Sequence, residues 1–348
     1  MPNAVTATQG ALEVTTPHTG LVNVGVIGFG TMGRIRYETI NRTEHGRVVA
    51  IAEPQPHVQV PGVRRYLVPE ELIDDPEVDA VFISTPNYLN KSLTIKALRA
   101  GKHVFCEKPP AFNAKEVEEV MEAERSAAGK KLMYGFNHRH HDSVKKAKEL
   151  IDSKIYGRIL WMRGRYGKSV DQSFYSTWRA KKAFAGGGIL MDQGIHMLDL
   201  FLMMAGGFDE VHAYVSNLYW KLDVEDNVFA ILRNRDGLVA SLHSTMTQWR
   251  HLFSFEIFLE KGYIVINGLL TSSGTYGEEV MTVATNRTTP PAATWSDEEP
   301  FRFNVNNSWR YEVEHFLTAI ARNAPITIGH SRDALRLMQL TDRIYQNR

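Results

Sequence analysis

The chain has 348 residues, with 40 basic and 39 acidic side chains and a formal net charge of +1 at pH 7. Because this charge is near zero, the chain lacks the overall electrostatic field that favours nucleic acid or an anionic membrane as a partner. A hydrophobic fraction of 43% excludes a largely disordered protein, and at roughly 150 residues per domain the length predicts two domains.

The N-terminal segment and the cysteine content indicate where the protein works. Residues 1–20 are rich in Thr, Ala, Pro and Gly and contain neither Lys nor Arg, unlike a signal peptide. Uninterrupted apolar stretches are much shorter than the roughly 20 residues of a membrane span. The single cysteine, Cys106, excludes an internal disulfide. We therefore predict a flexible tail at 1–20 on a cytoplasmic protein in a reducing compartment.

From residue 21 onward, buried strands and helices alternate along the chain. The predicted strands are 21–27, 47–52, 80–84, 103–106 and 131–136, and the predicted helices between them are 32–41, 91–100 and 114–128. This alternation predicts a parallel sheet covered on both faces by helices.

The pattern changes after a basic helical stretch at 143–154, which we take as the crossing to a second domain. The predicted strands there are 158–166, 210–220, 227–232, 238–246 and 253–267, the predicted helices are 189–204, 309–322 and 332–345, and residues 285–300 form a Thr/Pro/Ala-rich loop. Strands joined by short turns predict an antiparallel or mixed sheet of the α+β type. The predicted domains are 21–144 and 145–348.

A glycine-rich turn follows the first predicted strand and opens the first predicted helix. It matches the pattern GxGxxG through Gly28-Phe29-Gly30-Thr31-Met32-Gly33. Glycines there allow a tight turn and let backbone N–H groups approach a pyrophosphate at the helix start. The turn therefore predicts a dinucleotide site; the alternative is a turn that only closes a strand-helix corner.

The acidic residue that accompanies such a turn is also present. Glu53 ends the next predicted strand, about 20 residues after Gly33, where a carboxylate can bind a ribose 2′-hydroxyl. No Arg or Lys adjoins Glu53 to hold a 2′-phosphate, so NAD is favoured over NADP. Arg64 and Arg65 keep NADP open as the alternative.

A lysine follows a later strand of the same sheet. Glu107 and Lys108 come directly after the strand 103–106, and Pro109-Pro110 stiffens the turn behind them. Ligands of open α/β sheets bind outside the carboxyl ends of the strands, so Lys108 is predicted to face the reactive end of the cofactor. The alternative is an exposed lysine in a proline turn.

A second group of polar residues lies on the predicted helix 189–204. Asp192, His196 and Asp199 have the spacing i, i+4 and i+7 and would share one helix face. A carboxylate one turn before an imidazole can orient it and raise its basicity, which suits a general base. Three glycines at 186–188 indicate close packing against a ligand or the other domain. The alternative for His196 is a hydrogen-bonded core histidine.

Two other sets of residues are candidates for metal binding and nucleophilic catalysis. His138, His140 and His141 are clustered but lack the helical pairing with a third ligand that is typical of catalytic zinc sites. Cys106 ends an apolar strand and is predicted to be a small core residue. We predict no metal.

Taken in order, these motifs resemble the Gfo/Idh/MocA family of oxidoreductases, named for glucose-fructose oxidoreductase and inositol dehydrogenase. The resemblance runs from about Val22 through the glycine turn, Glu107-Lys108-Pro109, the Trp178-Arg179 pair and the entry to Asp192 and His196. It implies an α/β N-terminal Rossmann domain and an α+β C-terminal domain with a large open, mainly antiparallel β-sheet. One face of that sheet would line the substrate site and the other would make a homodimer or homotetramer, and the C-terminal helix could pack back on the first domain.

Specific roles carry over from the resemblance to matching positions. It makes Lys108 the catalytic-site lysine, Asp192 the substrate-positioning acid and His196 the acid/base. Further cofactor contacts are implied for Ser84, Thr85, Pro86, Asn87 and Glu107, and substrate contacts for Asn137, Lys168, Trp178 and Arg179. The segments around Lys168 and Arg179 resemble the sugar-pocket segments of members from nucleotide-sugar and surface-polysaccharide pathways. Where many members have a histidine, this chain has Asn90, which leaves the contact of that position open.

The motifs and the resemblance together imply an NAD-dependent dehydrogenase or reductase that acts on a secondary hydroxyl of a small sugar, cyclitol or sugar nucleotide. Two alternatives stay open at this point. One is an NAD-dependent glycosidase that oxidises a ring carbon transiently and eliminates the aglycone. The other is a non-catalytic NAD-responsive protein, for which the lysine and histidine would be expected to be missing.

Overall fold

The computed structural model describes residues 20–347, so the predicted tail lies outside the described residues except for Gly20. The first part of the chain forms a parallel six-stranded sheet, sheet A, in the order β3-β2-β1-β4-β5-β6. Its strands are β1 (Val22–Ile27), β2 (Gly46–Ala52), β3 (Arg64–Tyr66), β4 (Ala80–Ile83), β5 (His103–Cys106) and β6 (Leu132–Tyr134). This order reverses at β1 and β4, which creates a crevice at their carboxyl ends.

Helices cover both faces of sheet A, as the alternating pattern predicts. They are α1 (Thr31–Ile40), α2 (Pro69–Asp74), α3 (Asn90–Arg99) and α4 (Ala114–Ser126), and α5 (Asp142–Asp152) follows β6. Side chains of β1 alternate between two apolar clusters, with Val24 and Val26 in the cluster that contains α1 and Ile27 in the one that contains α2 to α4. Because successive side chains of a strand point to opposite faces, β1 contributes to the apolar cluster on each face of sheet A.

The second part of the chain forms an eight-stranded sheet, sheet B, in the order β14-β13-β12-β11-β7-β10-β9-β8. Its strands are β7 (Ile159–Ser169), β8 (Glu210–Ser216), β9 (Asn227–Arg233), β10 (Val239–Thr245), β11 (Thr247–Leu259), β12 (Gly262–Asn267), β13 (Glu279–Thr285) and β14 (Glu299–Phe303). Only β7 and β10 pair in parallel; the other neighbouring strands are antiparallel. The predicted combination of a Rossmann domain and an α+β domain is confirmed.

Several predicted elements of this part need correction. The predicted strand 253–267 is the second half of β11 joined to β12 by a tight turn, because the apolar alternation continues across the hairpin. Strand β13 was not predicted, and the end of the predicted loop 285–300 already belongs to β14. The predicted helix 189–204 begins as a π-helical turn at Leu190–Gly194 and continues as α7 (Ile195–Ala205), preceded by the short α6 (Lys182–Ala185).

The segment Lys182–Ala205 is long and apolar enough to span a membrane when judged by length and composition alone. It is mostly buried inside the protein, where α7 packs against β7, β10 and the last helix. Its apolar character is therefore accounted for by the core between sheet B and that helix.

Two C-terminal helices return to the first domain. Helix α8 (Ser308–Ala321) packs on α1 and β1, and helix α9 (Ser331–Gln346) packs on α4 and α7. The ring of Phe316 contacts Phe82 and Phe105 in sheet A at centroid distances of 5.4 and 5.7 Å. The core of the first domain is thus completed by residues from the end of the chain.

A buried ionic cluster joins α1, the turn after β5 and α8. Arg36 is fully buried and lies 2.6 Å from a Glu107 carboxylate oxygen and 2.7 Å from one of Glu312. Its guanidinium also stacks on the rings of Phe105 and Trp309. Since Glu107 directly precedes Lys108, this cluster fixes the position of the lysine turn.

We expect Arg36→Met to lower the free energy of unfolding by about 3–5 kcal/mol, because Glu107 and Glu312 would become buried carboxylates without a cation. Urea denaturation at neutral pH measures the change. Arg34→Met, which removes an exposed arginine from the same helix, is the matched control and should change stability by less than about 0.5 kcal/mol. Equal effects of the two substitutions would contradict this role of Arg36.

Candidate active site

A cleft of about 830 Å³ lies between the carboxyl ends of sheet A and the inner face of sheet B. One end is formed by the glycine turn and Glu53, and the other by Lys108, Asp192 and His196. The structure therefore brings the motifs from both predicted domains together around one cavity. A cavity of this size is in the range of small-molecule and cofactor sites.

The glycine turn has the shape that a dinucleotide needs. Gly28 has a φ of +83°, and a Cβ there would lie 2.6 Å from the Ser84 carbonyl oxygen. A Cβ on Gly30 would meet no atom within 4 Å, so this part of the backbone faces open space in the cleft. Gly30 also precedes α1, which has no side-chain cap, so its first N–H groups can bind an anion.

The strand end beside the turn offers a further polar group. Ser84, Thr85, Pro86 and Asn87 all line the cleft, and the buried Ser84 hydroxyl has no hydrogen-bond partner among residues 20–347. An unsatisfied buried hydroxyl at this place is consistent with a ligand that completes its hydrogen bonding. The glycine turn and the strand end beside it thus fit a bound NAD.

Two residues of the glycine motif do not face the cleft. Phe29 is buried against Tyr37, with ring centroids 5.6 Å apart. A Cβ on Gly33 would lie 2.0 Å from the Gly28 carbonyl oxygen, so this glycine permits the close approach of helix and turn. Both residues shape the turn, whereas Gly30, Thr31 and Met32 line the cavity itself.

Glu53 is held at the cofactor end of the cleft. Its carboxylate accepts hydrogen bonds from the backbone N–H of Phe29 at 2.9 Å and of Gln55 at 3.1 Å. Arg64 forms ion pairs with Asp75 and Glu77, and Arg65 donates to the carbonyl oxygens of Glu53 and Gln55. Both arginines that left NADP open are therefore engaged with protein groups.

Asn90 supports the lysine turn instead of facing the cleft. It is fully buried, and its amide donates to the carbonyl oxygens of Pro109 at 2.8 Å and Glu107 at 3.2 Å. Its side-chain oxygen accepts a hydrogen bond from Thr85. The carboxylate of Glu107 is likewise bound by Arg36, so both residues position Lys108 from behind.

Lys108 reaches across the cleft from sheet A to the π-helical turn. Its Nζ donates to the backbone oxygen of Asp192 at 2.6 Å and lies 3.6 Å from the Asp192 carboxylate. Burial lowers the pKa of the Lys108 ammonium; Asp192 opposes this and Arg179 adds to it. The lysine therefore sits in the cavity as a hydrogen-bond donor whose proton is easier to remove than in water.

The Asp192 carboxylate is surrounded by three cations. Lys168 Nζ lies 2.5 Å from Oδ2, while Lys108 and Arg179 lie 3.6 and 3.7 Å from Oδ1. Burial by itself would raise the pKa of Asp192, but Lys168, Lys108 and Arg179 outweigh burial and hold the pKa below its ordinary value. Asp192 is therefore an anion that holds these three cationic side chains together at one side of the cleft.

The expected coupling between Asp192 and His196 is wrong. The π-helical turn changes the spacing of the predicted helix, and the carboxylate is bound by the cations and not by the imidazole. Asp199 pairs instead with Arg139, at 2.6 and 2.8 Å, in a buried contact that also includes Asp333. Asp199 is thus a structural residue outside the cleft.

His196 is almost completely buried and stacks on His138, with ring centroids 3.8 Å apart. Burial, assisted by the positive charge of Lys108, holds the pKa of His196 well below 6.5, its ordinary value. Burial and His196 have the same effect on the pKa of His138. At neutral pH both rings are therefore uncharged, and His196 can accept a proton.

A chain of hydrogen bonds orients His138. One ring nitrogen lies 3.1 Å from the side-chain oxygen of Asn137, which can only accept, and the other lies 3.0 Å from the hydroxyl of Tyr166. These two contacts hold the ring of His138 in a fixed orientation. The ring of Tyr276, at the wall of the cleft, packs edge-on against Tyr166.

The three clustered histidines have separate partners. His138 faces His196, whereas His140 lies beside His315 and His141 bonds Glu279 at 2.8 Å. Within the described residues no group of metal-ligating side chains is assembled. Cys106 is buried, and burial raises its pKa to about 12, as for an inert core thiol.

The glycines before Asp192 pack closely against protein groups. A Cβ on Gly188 would lie 2.0 Å from the Glu225 carbonyl oxygen, and one on Gly186 would meet Phe112 of the first domain at 2.5 Å. The carboxylate of Glu225 accepts hydrogen bonds from the N–H groups of Gly188 and Leu190. The expected contact with the other domain is found at Gly186, and Glu225 anchors the turn that carries Asp192.

Sequence reasoning missed several residues of the cleft. His138 was considered only as a metal ligand, and Glu225, Phe174 and Tyr276 were not singled out; Phe174 lies below the ammonium group of Lys168. Trp178 and Arg179 line the cleft as expected, and Lys168 joins it through Asp192. His138 and Phe174 lie close to Asn137 and Trp178 in sequence, but their roles depend on contacts with His196 and Lys168 that no local pattern shows.

Comparison with protein families identifies two matching models. The NAD-binding Rossmann fold of the GFO/IDH/MocA oxidoreductase family matches residues 22–136, and the C-terminal domain of that family matches residues 144–265. The chain belongs to this family.

Similar proteins include sugar and cyclitol dehydrogenases. The chain is 30% identical to levoglucosan dehydrogenase of Pseudarthrobacter phenanthrenivorans, over 71% of this chain and 73% of that protein. It is 29% identical to myo-inositol 2-dehydrogenase of Thermotoga maritima, over 70% of this chain and 74% of that protein. Among solved structures, levoglucosan dehydrogenase in complex with NADH and levoglucosan has a TM-score of 0.81 and 26% identity and covers 94% of this chain and 96% of that chain.

We expect Glu53→Gln to weaken binding of NADH and to lower the preference for NADH over NADPH by at least about tenfold, because the carboxylate would bind the ribose hydroxyls and repel a 2′-phosphate. Dissociation constants from fluorescence titration of both nucleotides measure this. Glu44→Gln, at an exposed site after α1, is the control and should leave both constants unchanged. An unchanged ratio in Glu53→Gln would exclude this role of the carboxylate.

Proposed function

We propose that this protein is an NAD-dependent dehydrogenase that reversibly oxidises a secondary hydroxyl of a sugar, cyclitol or sugar nucleotide. The observation that carries the proposal is the convergence of Lys108 and His196 in the cleft that begins at the glycine turn. One residue is a cationic donor and the other is an uncharged base, and oxidation of an alcohol needs both next to the same oxygen. The relatives named above support the substrate class.

His196 would accept the hydroxyl proton. Its pKa is held low, so the imidazole is uncharged and ready to accept at neutral pH. Stacking on the neutral ring of His138 keeps the imidazole in place and offers an aromatic face to the cation that forms.

Lys108 would stabilise the oxygen as negative charge develops on it. The lysine is held by the backbone oxygen of Asp192 and by the fixed turn behind it, so it needs little rearrangement during the reaction. Such preorganised donors act more strongly where water is partly removed, and the side chain of Lys108 is only 20% exposed.

Asp192 keeps Lys108 and Lys168 in place and can accept a hydrogen bond from a neighbouring hydroxyl of the substrate. Bound NAD supplies the hydride acceptor, and the glycine turn, Glu53 and Ser84 would hold it. The protein itself contributes position, a base and a donor.

We also propose that the protein is cytoplasmic and that it forms a homodimer or a homotetramer. The outer face of sheet B exposes a row of large apolar side chains that includes Tyr214, Phe229 and Ile231. A second copy of the chain covering this face would remove them from water.

We expect Lys108→Ala and His196→Ala each to lower kcat by about 10²–10⁴-fold, because each removes a group that acts on the reacting oxygen, with the affinity for NAD retained. NADH formation over a panel of sugars and cyclitols measures kcat, and Lys115→Ala, at an exposed site on α4, is the control.

Near-normal turnover in either active-site variant would rule out this assignment. The same assay separates the glycosidase alternative, which predicts release of a free sugar without net formation of NADH.

The pH dependence of kcat/KM for oxidation gives an independent prediction. His196 must be neutral, so activity is lost as pH falls through its lowered pKa, and the acid limb should lie below pH 6.5. Lys108 must be protonated, so activity is lost as pH rises through its lowered pKa, and the alkaline limb should lie below pH 10.5. An acid limb at or above the ordinary pKa of histidine would contradict the role of His196.

A further inference from the structure

The substrate end of the cleft carries more positive than negative charge. Lys108, Lys168 and Arg179 surround one carboxylate, that of Asp192. The other acidic residue nearby, Glu107, is already paired with Arg36. Arg36 is shared between Glu107 and Glu312, so with the neighbouring histidines neutral at least one positive charge at this end has no protein counter-ion.

The two lysines are largely removed from water, whereas the side chain of Arg179 is 43% exposed at the rim. The side chains of Lys168 and Lys108 are only 14% and 20% exposed. Uncompensated charges in such a place are costly unless an anion joins them. A net positive charge at one end of a cleft also attracts ligands of the opposite sign.

Two of the cations have donors left for a ligand. Lys168 uses one contact on Asp192 Oδ2, and its ammonium lies over the ring of Phe174. Arg179 lies 3.7 Å from Asp192, beyond hydrogen-bond distance, and makes no hydrogen bond within residues 20–347. Its guanidinium stacks on Trp178 with 4.4 Å between Cζ and the ring centre, which holds the planar group at the cleft wall.

The cofactor does not supply the missing negative charge. The pyrophosphate of NAD is matched by the N-terminus of α1 at the other end of the cleft, and the oxidised nicotinamide ring is itself positive. An anionic group on the second ligand would supply this counter-charge.

We propose that the substrate carries an anionic group, a carboxylate or a phosphate, which binds between Lys168 and Arg179. The proposal rests on the oxidation proposed above and specifies its substrate class. The planar guanidinium of Arg179 is suited to bidentate binding of either anion, and Lys168 adds a point charge. His196 and Lys108 remain free for the hydroxyl that is oxidised.

The test compares matched sets of neutral sugars, their uronic acids and their sugar phosphates, for example glucose, glucuronate and glucose 6-phosphate, with the NAD-loaded protein. We expect the anionic member of the best set to have a kcat/KM at least tenfold above its neutral congener. Whether the uronate or the phosphate is preferred identifies the anion.

Lys168→Gln and Arg179→Gln should each lower the ratio of kcat/KM between anionic and neutral congeners by at least tenfold. Lys181→Gln is the matched control. Lys181 is an exposed lysine two residues after Arg179, so this substitution removes the same charge outside the cleft. It should leave the ratio unchanged.

The outcomes separate the two proposals. NADH formation that is highest with neutral members, together with an unchanged ratio in Lys168→Gln, would overturn the anionic substrate and leave the dehydrogenase proposal standing. NAD binding without NADH formation from any member would overturn the dehydrogenase proposal itself.

Discussion

The ion cluster around the Asp192 carboxylate is the contact on which the candidate site depends. It holds Lys108 from the end of β5 and Lys168 from β7, so one carboxylate joins the two sheets across the cleft. Without this anion, three cations would face each other in a half-buried cavity at high electrostatic cost. Together with the packing of α9 on α4 and α7, the Asp192 carboxylate therefore fixes the lysine turn relative to sheet B.

Burial, assisted by the positive charge of Lys108, explains the neutral state of the neighbouring histidines. A positive and poorly hydrated surrounding favours the neutral form of an imidazole, which keeps His196 able to accept a proton beside the Lys108 ammonium. Behind the lysine, Arg36 and Asn90 fix the turn through Glu107 and Pro109. The turn that carries Lys108 is thus held in place by buried polar contacts of residues that do not themselves take part in the reaction.

Much of the fold could be predicted because its signals are local: the apolar run of β1, the glycine turn and the alternation of strands and helices. The edge strands β3 and β14 were missed because Arg64–Tyr66 and Glu299–Phe303 have no continuous apolar run. Helical spacing correctly brought Asp192 and His196 near one cavity but failed for Asp199. Its partner Arg139 is 60 residues away, and the π-helical turn breaks the spacing that the prediction assumed. Contacts between distant residues, such as the stack of His138 on His196, leave no trace in a local pattern.

The central claim is that Lys108 and His196 act on one substrate oxygen next to the nicotinamide. A crystal structure of the protein with NADH and the sugar or cyclitol that it oxidises tests this most directly. The account predicts that the reacting oxygen lies within hydrogen-bond distance of both Lys108 Nζ and a ring nitrogen of His196, with its carbon facing the nicotinamide. A reacting oxygen that contacts neither residue, or a substrate bound outside this cleft, would contradict the account.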